Sequence, residues 1–160
     1  MSVYIQVRVR SVTVHVSRLR RLATRVLREL GESISDVSIS FVGDGHMRRL
    51  NRFYRGKNRT TDVLAFAMRD ADIPRIRRPN RRPLGDVVIS IPTAVGQAIS
   101  NRKSLDEEIV GLLVHGMLHL CGYDHERSEA EARRMQRRER LLRRRLGTVP
   151  CLLGGKRTGL

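Results

Sequence analysis

HGMLHLCGYDH, residues 115–125, is the stretch on which the reading of the whole chain turns. His115 and His119 stand four residues apart in an apolar segment, and each residue of a helix turns by ~100°, so both imidazoles leave nearly the same face, one turn apart. Gly122 follows, the residue best able to adopt the left-handed conformation that ends a helix and reverses the chain. The reversal brings back His125. Three neutral imidazoles around one ion, with a fourth position open to water, is the catalytic type of zinc site, whereas structural sites are usually closed by cysteines. Cys121, two residues past His119, points away from the ligand face and is expected to pack as a small apolar side chain.

The spacing equals that of the metzincin peptidase pattern H-E-x-x-H-x-x-G-x-x-H, with one difference: Gly116 stands where the peptidases carry glutamate. That carboxylate takes a proton from zinc-bound water and passes it to the leaving amine, and glycine cannot. Amide cleavage is therefore disfavoured. A substrate that carries its own nucleophile asks less of the protein, and RNA qualifies, because its 2′-hydroxyl lies beside the phosphorus.

Outward from the motif, Ser104 and Glu107 form an S-x-x-E capping box that starts the histidine helix. Before it, Pro92 opens a helix expected to turn Ala94, Val95, Ala98 and Ile99 to one face. TDVLAFA (61–67) and DVVISI (86–91) are apolar runs of strand length. The segment between them, rich in proline and arginine, predicts a long loop. Asp44 is expected to cap a short helix that carries Met47, Leu50 and Tyr54 inward. Val3, Ile5, Val7 and Val9 alternate as in a strand, as do Val37, Ile39 and Phe41, and Leu19, Leu22, Ala23, Val26, Leu27 and Leu30 follow a helical period ended by Gly31. After the motif, a helix from about Ser128 to Leu146 is expected to bury Ala132, Met135, Leu142 and Leu146. The fold class that results is α+β: a single domain with a small mixed sheet of about four strands covered by helices, and a zincin-like metal site at the end of a helix. Residues 1–146 make up that catalytic domain, and 147–160 are expected to fray.

The 160 residues carry 32 basic against 16 acidic side chains, a formal charge of +16, and nearly all the basic ones are arginine. A field of that sign attracts polyanions. Arginine spread over solvated faces gives the same total, so charge alone does not assign a nucleic acid. No apolar run reaches the ~18 residues of a membrane span, Met1 to Arg10 alternates instead of forming a signal peptide, and Cys121 and Cys151 make a poor disulfide framework. A cytoplasmic location is expected.

The motif resembles that of the YbeY endoribonucleases, H-G-x-L-H-L-x-G-Y-D-H, at every fixed position. LNRFYRG (50–56), TDVLAFA (61–67) and LGDVVIS (84–90) reinforce the likeness in family order, from about Val37 to Leu142, with Ala65 and Ala67 departing from the usual serine and proline. The resemblance implies a cytoplasmic, single-strand-specific, zinc-dependent endoribonuclease, a hydrolase of ribosomal RNA maturation, especially of the small subunit, and of ribosome quality control. By position, His115, His119 and His125 would hold one Zn2+ per chain. Arg55 matches an arginine implicated in activity, and its guanidinium suits a phosphate that gathers charge during transfer. The implied partners are single-stranded RNA, ribosomal RNA and ribosomal or small-subunit proteins. Asp62, Asp86 and Asp124 are candidates to orient the histidines through their second ring nitrogens. Two other readings stay open on sequence alone: a zincin-like metallopeptidase, and a non-catalytic ribosome assembly factor with a structural zinc.

Overall fold

The helix that carries the first two histidines is the most deeply buried of the fold. In the computed structural model, which describes residues 1–68 and 82–155, the chain runs β1 (Ser2–Val7), β2 (Val12–Val14), α1 (Val16–Glu29), β3 (Ser35–Val42), α2 (Asp44–Arg55), β4 (Val63–Ala67), β5 (Arg82–Ser90), α3 (Ile91–Ser100), α4 (Leu105–Leu120), α5 (Glu129–Leu146) and β6 (Leu153–Gly155). Four strands form one mixed sheet in the order β1-β3-β5-β4: β1, β3 and β5 are parallel and β4 runs antiparallel along one edge.

The near-continuous apolar run of β5 suits an inner strand covered on both faces. Val87 and Ile89 join Val37, Ile39 and Phe41 in the main core under α1, α4 and α5, while Val88 turns the other way to Val42, Met47 and Leu64 beneath α2. The capping box at Ser104 is present in both directions, Glu107 N–H to Ser104 Oγ at 3.1 Å and Ser104 N–H to Glu107 Oε2 at 2.9 Å. From Glu108 to Leu120, only His115 and His119 escape full burial on α4. Where β3 and β5 slip register between Asp36 and Val37, Gly85 adopts a φ of 145°. A Cβ there would run into the Phe66 carbonyl oxygen and come within 2.8 Å of Leu120 Cδ2.

Several local expectations need correction. Tyr54 is not inward: α2 buries Met47 and Asn51, and Tyr54 lies past that contact, 60% exposed against Phe66 of edge strand β4. On α3, Ala94 and Ala98 are buried but Ile99 is 74% exposed, because α4 covers a narrower strip than the apolar pattern offers. Ala132 is half-buried on α5. The fourth large strand begins at Arg82, so residues 82–85 of the expected loop are sheet; residues 69–81 lie outside the described residues.

Past Leu146, the described part of the tail packs onto the domain. Leu152 is fully buried, the N–H groups of Leu152 and Leu153 both donate to Asp106 Oδ1 at 2.9 Å, and β6 pairs antiparallel with β2. One apolar anchor and one doubly accepting carboxylate order a segment whose sequence has no period. Among the described residues, no helix is long and apolar enough to cross a membrane.

Candidate active site

α4 ends as the sequence requires for the histidines to meet. The Gly122 N–H donates to the His119 carbonyl at 3.0 Å and the Tyr123 N–H to the Leu118 carbonyl at 3.1 Å, a Schellman motif with Gly122 at φ 94°. The turn carries His125 back over the helix end. His119 Nε2 then lies 3.1 Å from both His115 Nε2 and His125 Nδ1, and one ligand atom from each of the three lies within 4.8 Å of the others. A tetrahedral ion ~2.0–2.1 Å from each nitrogen would separate them by about 3.3–3.4 Å, so the three are positioned to bind one metal ion.

The protons of the trio support the same fit. His115 Nδ1 sits 2.6 Å from Glu139 Oε1, and an ionised carboxylate only accepts, so in the neutral ring Nδ1 is the donor and Nε2 is the lone pair that faces His119. Burial, and then the neighbouring His115 and His125, hold His119 below the usual imidazole range. A neutral imidazole is the form that ligates a metal.

Glu139, on α5, is the carboxylate that sequence reasoning missed. It stands 24 residues beyond His115 in an arginine-rich stretch, where no spacing links the two. The three aspartates expected in that role do other work. Asp62 Oδ1 accepts the Val63 N–H at 2.8 Å and the Thr61 hydroxyl. Asp86 is half-buried on β5, where desolvation pushes its carboxyl up against a hydrogen bond from Ser38. Asp124 accepts the Glu126 N–H at 2.9 Å, which holds its carboxyl low, and it adds negative potential near His119.

The histidines open into a cleft of about 820 Å3 that Arg55, Lys57 and Arg59 also line. Arg55 is the last residue of α2, which Gly56 ends in the left-handed conformation at φ 66°. At the other end of that helix, Asp44 Oδ1 accepts three hydroxyls, from Ser90 at 2.6 Å, Thr93 at 2.7 Å and Thr60 at 3.0 Å. This hub ties the start of α2 to the end of β5 and the start of α3, so the helix that presents Arg55 is anchored on the sheet. Arg55 Nη2 lies 3.4 Å from Glu126 Oε1, an exposed and hence weak ion pair that leaves the guanidinium free to exchange partners.

Gly116 explains the missing glutamate. It is buried against the sheet, where a Cβ would come within 2.8 Å of Val87 Cγ1, 3.2 Å of Val87 Cγ2 and 3.4 Å of Val63 Cγ2. A glutamate cannot enter that space. The helix lies too close to β4 and β5 for a peptidase base at this position.

The model of the family described as Endoribonuclease YbeY matches residues 4–147. The chain belongs to the YbeY endoribonuclease family. It is 44% identical over 141 residues to the Endoribonuclease YbeY of Geobacter metallireducens, covering 88% of this chain and 92% of that one, and 44% identical over 117 residues to that of Persephonella marina, covering 73% and 74%. Its fold is similar to a solution structure from Thermotoga maritima, with a TM-score of 0.59 over 88% of this chain and 85% of that one, at 22% identity. YbeY membership makes the chain a nuclease of the hydrolase class, in agreement with the expectation drawn from the motif.

Proposed function

We propose that this chain is a zinc-dependent endoribonuclease that cuts single-stranded RNA in the cytoplasm, acting in the maturation of small-subunit ribosomal RNA and in ribosome quality control. The observation that carries the reading is the convergence of three imidazoles, with His119 Nε2 3.1 Å from a ring nitrogen of each of the other two, in a cleft lined by Arg55, Lys57 and Arg59. Family membership and the charge of +16 point to the same substrate class.

His115, His119 and His125 would hold the ion. When bound, zinc supplies a Lewis acid and brings the pKa of water to ~7. The protein's own groups do the rest. Glu139 takes the Nδ1 proton of His115 in a hydrogen bond and fixes the tautomer and the plane of the ring. Arg55 exchanges Glu126 for the phosphate, grips two of its oxygens through parallel N–H bonds and stabilises the charge that grows on them during transfer. Because RNA brings a 2′-hydroxyl to the phosphorus, the site needs no carboxylate at Gly116.

The test is cleavage of a single-stranded ribosomal RNA fragment by the wild type and by His119→Ala, purified in parallel, with folding checked by circular dichroism. Cleavage by the wild type alone is the expected result. Equal cleavage by both would assign the activity to a contaminant and overturn the reading.

A further inference from the structure

Three of the six aromatic residues of the chain gather at the mouth of the cleft. Phe53 and Tyr54 meet edge to face at the end of α2 with ring centroids 4.8 Å apart, and Tyr54 meets Phe66 of β4 at the same distance. Phe66 is partly buried against Val42, Met47, Leu64 and Val88, but core packing does not account for Phe53 and Tyr54, which are 80% and 60% exposed. Tyr54 and Phe66 line the same cleft as the histidines, and Phe53 extends the row outward. Arg55, Lys57 and Arg59 stand on the segment that follows Tyr54 and line the cleft as well.

We propose that Phe53, Tyr54 and Phe66 form a stacking ledge for unpaired nucleobases of the RNA whose phosphate Arg55 holds. The proposal rests on the RNA-cleaving reading and adds to it how single strands are selected. Aromatic faces bind any base by stacking, and cations spaced beside them follow the phosphates, which is the design of sequence-tolerant single-strand binders. Duplex RNA cannot use the ledge, because its bases are stacked on one another and its readable surface is ribose and phosphate. Charge complementarity therefore selects nucleic acid as the occupant, and the exposed rings select the unpaired form.

The experiment is a binding measurement on metal-free protein, so that cleavage plays no part. Fluorescence anisotropy at fixed salt compares an eight-nucleotide 2′-O-methyl oligoadenylate with an abasic oligomer of equal charge, for the wild type, Phe53→Ala, Tyr54→Ala and Tyr54→Phe. Both alanine variants should bind the base-bearing oligomer about 5- to 160-fold more weakly, with binding of the abasic one unchanged, and Tyr54→Phe should bind as the wild type does. The exposure of both side chains keeps the variants folded, which a thermal melt verifies. Equal wild-type affinity for the two oligomers, or equal loss on both in the alanine variants, overturns the ledge and leaves the exposed rings to a protein partner. Either result leaves the nuclease reading standing as long as cleavage depends on His119.

Discussion

The imidazole of His115 on α4 is held by the carboxylate of Glu139 on α5, Nδ1 to Oε1 at 2.6 Å. The bond spans the two helices that flank the histidine turn, and it leaves His115 Nε2 aimed at the other two rings. Glu139→Gln keeps the shape but loses the charged acceptor. Metal affinity, read by competition with a chromophoric chelator, should fall about 10- to 100-fold with the circular dichroism spectrum unchanged. Unaltered affinity would deny Glu139 its orienting role.

Arg55→Ala should retain its metal, because the residue is paired with Glu126 and is not one of the three ligands, and lose about 100-fold in turnover on single-stranded RNA. Metal content by elemental analysis and single-turnover cleavage separate the two effects. Loss of metal along with turnover would show a structural role instead.

Gly116→Ala places a methyl 2.8 Å from Val87 Cγ1. Overpacking of this kind costs roughly 1–3 kcal/mol, to be measured by urea denaturation. Gly116→Glu should misfold and gain no peptide cleavage, since the carboxylate would be driven into the sheet.

Asp44 supplies a pH dependence. Hydrogen bonds from Ser90 and then Thr93 hold its carboxyl below the ordinary 3.8, so the folded state binds a proton less readily than the unfolded one. The stabilisation is present above the unfolded value and is lost as pH falls through the lowered folded one. Ser90→Ala removes the largest cause, and a carboxyl NMR titration should find Asp44 moved up toward the ordinary value. An unmoved titration would contradict the hub.

If Arg55, Lys57 and Arg59 contact phosphates, affinity for a single-stranded oligomer should fall linearly with salt on logarithmic axes. Each cation replaced by glutamine should then reduce that slope by about 0.7. A slope unchanged in all three variants would place the RNA elsewhere on the surface.

By itself, the sequence determined what is local or periodic. Helical spacing set His115 and His119 on one face, Gly122 set the turn that returns His125, and the alternation of Val37, Ile39 and Phe41 set a core strand. Contacts between distant segments have no period, and only the tertiary structure decided them. Glu139 reaches His115 because α5 packs back along α4, and Gly116 is glycine because α4 lies against Val87 and Val63. Tyr54 follows the apolar pattern of α2 yet stays 60% exposed, since at the end of the helix it meets Phe66 of the edge strand, while Met47 is buried among Val42, Leu64 and Val88. Leu152, in a tail with no pattern, is buried where Asp106 and His15 receive its backbone and β2 pairs with the residues after it. A hydrophobic pattern states which side chains leave water and is silent on which partner they meet, and that partner is settled only when all the elements compete for one core.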